Sequence, residues 1–435
     1  MNDILNFREV PITDETIEEY EYHEYEPITG TNLNNSGEIR ITIQNQDIFT
    51  HPANSYLLVE GRLTKQDDAA YADDNAIALT NNGIMHLFNN IKYQLSEQEI
   101  ESLFYPGQAT TMLGLLKYPD DLSKSVGLNQ LWCKDTAVMA SIANNAGFGT
   151  RQKYLVQLPN PKGTFSFKIP LKHILGSFED YDKIVCGFTQ RLTLVRKADS
   201  DAIFKADGAD AGKVNIQKIS WFMPHVLPAD GEKLKLYKTI ESKSKLPVAY
   251  RMRQCDSIAV SQSTSFTWRL SVKSSPEKPR YIIVAFQTEK DADQTKNPSI
   301  FDHVNLTNMF VMLNSTRYPM VDYNVSFPKQ QFSRLYGDAA SFRSKFYSMD
   351  ELVSNPNITP DEFKSLYPIF VFDVSKESER LKTQVTDIQI KASFNENVPA
   401  NTQAYAVVIS DRLLSFQSDG QKMTCLLYTS DAADE

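Results

Sequence analysis

A strict two-residue alternation of apolar and polar side chains recurs along the chain, and it restricts the fold more than any other feature. Phe266, Trp268, Leu270 and Val272 alternate with Thr267, Arg269, Ser271 and Lys273. Phe165, Phe167 and Ile169 alternate with Thr164, Ser166 and Lys168, and Ile388, Ile390, Ala392 and Phe394 with Gln389, Lys391 and Ser393. Successive side chains of an extended strand point to opposite faces, so each stretch predicts a strand with one wet and one buried face. Apolar runs at 281–286, 369–374 and 405–409 predict further, more deeply buried strands. Turn-forming clusters at 160–163, 274–279 and 395–399 separate them. Helix signals are few. Ser96 with Glu99 and Ser348 with Glu351 have capping-box spacing, and Thr359-Pro-Asp-Glu362 adds a proline at the first helical position. Each predicts a helix of two or three turns set into a loop. The expected class is all-β and antiparallel, with short helical insertions.

The length of 435 residues allows two to four domains at roughly 100–200 residues each. Two halves of similar pattern are visible. The first has Ile41 and Ile43, a polar turn through 50–54 and a long strand at 56–63; the second has Ile258 and Val260, a short polar turn and a strand at 265–273. The stretch 224–231, with Pro224, Pro228 and Gly231, is the predicted boundary between them. Segments 36–225 and 232–424 each have the length of an eight-stranded jelly roll with loop insertions, giving two such rolls in tandem.

Charge divides the chain further. Residues 1–30 hold nine acidic side chains against Arg8 alone, whereas the chain between 31 and 424 is close to neutral. Segment 1–35 is therefore read as an acidic N-terminal arm, mobile in the free protein and ordering against a basic surface such as 233–253 on a neighbour. Segment 425–435 resembles the in-frame translation of a sequencing-library transposase adapter, so it is set aside as an artefact, with the natural sequence diverging after about Thr424. No apolar run approaches the roughly 20 residues that cross a bilayer, and residues 1–8 lack the apolar core of a secretory signal. Cys133, Cys186, Cys255 and Cys425 are scattered without CxxC spacing and read as thiols of a chain made in a reducing compartment.

Catalytic and metal-binding patterns find no support. His23, His51, His86, His173, His225 and His303 are isolated from one another, whereas a metal-bearing jelly roll needs clustered imidazoles. Residues 208–213 resemble a phosphate loop but have three residues between the glycines, and Val214 stands where a Ser or Thr is required. Glu99 with Glu101 and Asp120 with Asp121 are adjacent carboxylates; the first pair reads as a solvated helix face and the second as a turn, not as a glycosidase pair. The stretch 233–253 carries seven basic residues against Glu241, which reads as the wet side of a strand pair and allows at most weak, non-specific contact with nucleic acid. No catalytic, cofactor-binding or metal residue is assigned, and no cofactor is expected. The chain is expected not to be an enzyme.

Asn81-Asn-Gly-Ile-Met-His-Leu-Phe88, followed by Ile91-Lys-Tyr-Gln-Leu95 and Glu99-Ile-Glu101, resembles the double jelly-roll major capsid proteins of double-stranded DNA viruses, including Polinton-like and adintovirus-like elements. Leu313-Asn-Ser-Thr-Arg-Tyr-Pro319, running into Asp322-Tyr-Asn-Val-Ser-Phe327, resembles the corresponding segment of the second roll. Pro106-Gly-Gln-Ala-Thr-Thr-Met112, Tyr118-Pro-Asp-Asp121 and Trp221-Phe-Met-Pro224 occur in the order found in double jelly-roll-like proteins of invertebrate genomes, and the resemblance covers most of 36–424. Ser96-Glu97 stands where viral relatives often have Gly-Gly, which predicts a short capped helix in place of a hairpin. The resemblance implies a structural protein that assembles with itself: three chains per capsomer, capsomers tiling an icosahedral shell, and a separate penton protein at the vertices. It places the chain in the virion after synthesis in the host cytoplasm or nucleus, without secretion, and suggests that loops within 105–150 cap an outer tower or bind a neighbour. The alternative is a two-domain β-sandwich that binds or cleaves carbohydrate, which requires a cleft lined by Tyr or by Trp132, Trp221 or Trp268.

Overall fold

The computed structural model describes residues 15–427 apart from 29–30, 35–36, 45–46, 158–161, 272–277, 355, 377–385 and 419–422. The first half contains β1 (Ile17–Tyr25), β2 (Glu38–Ile43), β3 (Phe49–Thr50), β4 (Tyr56–Lys65), β5 (Ile77–Leu79), β6 (Phe88–Leu95), β7 (Gln98–Phe104), β8 (Thr164–Pro170), β9 (Gln190–Arg196), β10 (Ile203–Lys205) and β11 (Gly212–Pro228). The second contains β12 (Leu246–Val260), β13 (Ser265–Arg269), β14 (Lys278–Thr288), β15 (Leu306–Leu313), β16 (Thr316–Tyr318), β17 (Phe370–Asp373), β18 (Ile388–Phe394), β19 (Thr402–Ser418) and β20 (Met423–Leu427). Every named ladder is antiparallel, as the alternation predicts.

The duplication is visible in the sheet orders. In the first half one sheet runs β1-β11-β4-β8 and the other β2-β9-β6-β7; in the second half they run β12-β19-β14-β17 and β13-β18-β15-β16. Position for position these are the same two sheets of a jelly roll, so β1 corresponds to β12 and β7 to β16. The sheets of each roll face one another across aromatic contacts. Tyr93 on β6 meets Trp221 on β11 edge-on at 6.2 Å, and Phe286 on β14 lies 6.3 Å from Phe266 on β13 and 5.7 Å from Phe394 on β18. The extra strands β3 and β20 and a separate β5–β10 ladder take the strand complement beyond the eight per roll expected from length.

Several expectations are overturned. The arm was expected to end at 35 and stay mobile, yet Ile17–Tyr25 forms β1, the outermost strand of the first roll, paired with β11 from Pro228 to Trp221. Eight of its nine side chains are exposed, so no hydrophobic periodicity advertises it; backbone pairing holds it. The linker placed at 224–231 is strand through Pro228, and α5 (Asp230–Glu241) then carries the chain to β12, so 233–253 is a helix and a strand rather than a strand pair.

Ser96 has φ of +52° in a tight turn between β6 and β7, so the hairpin is kept and the helix predicted there is absent. Ser348, with φ of +54°, ends α7 (Phe342–Tyr347) instead of starting a helix. The capping box at Thr359 is present, and it opens α8 (Pro360–Ser365). Within 105–150 the chain does not only loop outward: α2 (Pro106–Lys117) is buried at every position. Its small residues let it sink between neighbours, with Gly107 against the His86 ring on α1 (Gly83–His86) and Gly114 against Trp132. A helix buried all round has no polar stripe to give it away. Three further helices complete the described set: α3 (Ala146–Leu155), α4 (Gly176–Asp180) and α6 (Ser333–Ala340). Residues 425–427, at the head of the segment set aside as an adapter, pair with Phe416, Ser415 and Leu414 in β20, while 428–435 and the turn residues 160–161 and 274–277 lie outside the described residues.

Candidate functional site at the junction of the two rolls

The two rolls meet where β7 and α4 of the first pack on β12 of the second, and the contact is built from buried charge. Arg253 on β12 is 1% exposed and donates to the Glu179 carboxylate on α4. The same carboxylate accepts both hydrogen bonds of Lys117 on α2 at 2.6 Å and one from the Tyr347 hydroxyl on α7 at 2.7 Å. One position beyond, Asp180 takes a bidentate pair from Arg251, at 2.8 Å from Nε and 2.6 Å from Nη2. The Arg251 guanidinium carbon also lies over Phe346, 3.7 Å from the ring centre. Bidentate geometry and aromatic stacking are what a guanidinium supplies and an ammonium cannot.

Glu101 on β7 is fully buried and acts through the backbone. Its two oxygens accept from Gly176 N at 3.0 Å, Ser177 N at 2.8 Å and Arg253 N at 2.8 Å, tying the entry of α4 to the neighbouring roll. Burial pushes its carboxyl up, against the pull of Arg253 and the three amides. For Glu179 burial also opposes the charge, but Arg253 and Lys117 outweigh it and hold the carboxyl at about 2. Burial brings Lys117 down to about 7, and the repulsion of Arg253 adds to that effect. The approach is close enough that Gly176 admits no side chain: a Cβ there would lie 1.8 Å from the Arg251 carbonyl oxygen.

A second buried node joins the loops. The Asp135 carboxylate, fully buried, accepts from Asn145 at 2.8 Å and Arg151 at 2.7 Å in the first half, and from Asn297 at 2.9 Å and Ser299 at 3.1 Å in the second. The Tyr367 hydroxyl donates to the Asp135 carbonyl at 2.9 Å. In both nodes the acceptors lie in the first half and part of the donor set they need comes from the second. Separating the rolls would leave buried charge without partners, which is the costly way to lose an ion pair.

A model of the double jelly roll-like domain matches residues 77–414, which run from β5 into β19 and include both nodes. The chain belongs to the double jelly-roll-like family. Among solved structures, this double jelly-roll chain is similar to a chain of the Sputnik virophage at 12% identity, with 99% of this chain and 93% of that chain covered and a TM-score of 0.63. It is similar to the Faustovirus major capsid protein at 10% identity, covering 98% and 94%, with a TM-score of 0.58. It is also similar to the mavirus major capsid protein at 14% identity, covering 98% and 93%, with a TM-score of 0.57. No curated protein sequence matches the chain.

Of the histidines read as isolated, the fold brings His23 and His225 together; the other residues weighed from sequence are dispersed over the double jelly roll. His23 stacks on His225 at 3.8 Å, His51 pairs with Asp182, His303 stacks on Phe327, and His86 is sealed beneath α2. Among the described residues no group of three or more His, Cys, Asp or Glu side chains is placed to hold a metal ion. Glu99 and Glu101 lie on a strand, not a helix face; Glu99 is 3.6 Å from Lys92, and Glu101 is bound to amides. Asp120 lies 3.8 Å from Lys134 at the surface. Residues 207–209 turn into β11, as expected of a loop. The basic stretch is split: Lys233, Lys235 and Lys238 lie on α5, Lys243 and Lys245 in the connection to β12, and the two arginines at the junction. Trp132, Trp221 and Trp268 are at most 3% exposed, so none of the three offers the stacking face that the carbohydrate alternative would ask of a tryptophan. Glu179, Asp180 and Asp135 were not identified from sequence, because nothing in their neighbourhood sets them apart from surface acids.

Proposed function

We propose that this chain is a major capsid protein, the structural rather than catalytic subunit of an icosahedral shell of a DNA virus or of a virus-derived, Polinton-like element. The observation that carries the reading is the repeated sheet order in two rolls joined by buried charge. Likeness to the mavirus and Faustovirus major capsid proteins over nearly the whole chain supports it. Three copies associate in a capsomer of pseudo-six-fold outline, because two similar rolls per chain and a threefold axis present six similar walls. The chain then acts in the virion, with copies of itself and a vertex protein as partners, after synthesis in the cytoplasm or nucleus of the host.

Light-scattering mass after size exclusion tests this directly. A particle of about three times the 49.3 kDa chain is expected. A monomer across protein and salt concentrations would overturn the capsomer reading.

A further inference from the structure

The two rolls occupy equivalent places but their outer strands do not have equivalent surroundings. β12 is covered by β7 and α4 of the first roll, and consecutive side chains Met252 and Arg253 are both buried there. β1, the matching strand of the first roll, pairs with β11 in the way β12 pairs with β19, yet eight of its nine side chains are exposed. What covers β12 inside the chain has a topological counterpart at the far side of the second roll. There the equivalent of β7 is β16, followed by Met320 and Val321, which are 75% and 65% exposed.

Charge distinguishes the two contacts. Within the chain a cationic strand, carrying Arg251 and Arg253, meets an acidic face made of Glu101, Glu179 and Asp180. On the open side the signs are reversed. Residues 17–26 hold five glutamates and no lysine or arginine, whereas 316–334 carry Arg317, Lys329 and Arg334 against Asp322 alone.

We propose that β1 is the docking edge for a second copy of this chain, which seats its β16 and the segment through Arg334 against the glutamates of β1. The inference rests on the capsomer reading and names the surface that closes it. Reversed polarity makes the rolls alternate around the ring. An acidic β1 repels the equally acidic β1 of a neighbour and accepts the cationic segment of its second roll, so the contact is heterologous and closes by rotation. Exposed Met320 and Val321 supply the apolar centre that charge alone does not provide.

The test places p-benzoylphenylalanine at Met320 of the full chain and maps photo-crosslinks by mass spectrometry. Crosslinks to residues 15–26 of another copy are expected. A trimer whose crosslinks fall elsewhere, or do not form, would overturn this docking edge and leave the capsomer reading standing. A wild-type chain that is monomeric throughout would overturn both. In parallel, the triple variant Glu18→Lys, Glu19→Lys, Glu21→Lys should lose the trimer peak while keeping the monomer's circular dichroism and melting temperature. An undiminished trimer would sink the proposal.

Discussion

Lys117 carries its charge in a place that accepts it only because Glu179 lies 2.6 Å from the ammonium. Arg253 and Arg251 repel it from β12, while Phe346 and Tyr347 of α7 present ring faces at 4.5 and 5.5 Å. An unfolded lysine holds its proton to roughly pH 10.4, whereas this one holds it only to about 7. Between those values the unfolded chain binds more protons than the folded one, so this group makes stability rise with pH across that window. Glu179 works in the acid window. Its carboxyl sits at about 2, so its contribution is complete above the ordinary carboxylate range and is lost as pH falls toward 2. Replacing Lys117 with Met should therefore flatten the rise in melting temperature between pH 7 and 9 relative to wild type, with the acid limb kept. A parallel rise in the variant would show that the ammonium is not its source.

Among the elements, β1 and α2 show how a segment can be essential and yet silent in sequence. β1 joins Tyr25 to His225 through a 2.8 Å hydrogen bond, brings the Tyr22 ring within 5.4 Å of Tyr56 and sets Glu24 against Lys218. These contacts are at the surface and individually worth little, but the strand also occupies the flank of β11, which would otherwise expose an open edge. Deleting residues 1–26 should lower the melting temperature and the soluble yield. Deleting 1–14 should lower both less, because β1, which begins at Ile17, is then kept whole. Circular dichroism melts of the two truncations decide this, and equal stability of both would show that β1 is dispensable to the fold. The opposite case is α2, whose twelve buried positions leave no wet stripe for a periodicity to reveal.

For the molecule as a whole, the consequence of the two buried nodes is cooperativity. The apolar core runs without a break from Trp221 in the first roll to Trp268 in the second. The Glu179 and Asp135 clusters leave charge stranded if either roll opens alone, a cost of roughly 3–5 kcal/mol when a buried pair loses one partner. Both rolls should therefore unfold in one calorimetric transition, with calorimetric and van't Hoff enthalpies close to equal. Two resolved endotherms in the wild-type chain would refute the coupling. The proposed capsomer would require such coupling, since its walls would close a ring only if the angle between the rolls were held.

Alternation by itself determined the all-β antiparallel class, because a period of two leaves one buried face per strand, and the strands near 165–169, 266–270 and 388–394 lie where it places them. Length and the paired patterns of the two halves implied duplication, and the motifs from Asn81 and Leu313 implied the family. Thr359 with Glu362 was readable because a capping box is a local hydrogen-bond exchange within four residues. Ser96 and Ser348 matched the same spacing, but hairpin pairing and the end of α7 took precedence. The junction was decided by tertiary structure alone. Glu179, Arg253, Lys117 and Tyr347 are far apart along the chain, and a carboxylate becomes a clamp only when folding brings those donors around it and removes the water.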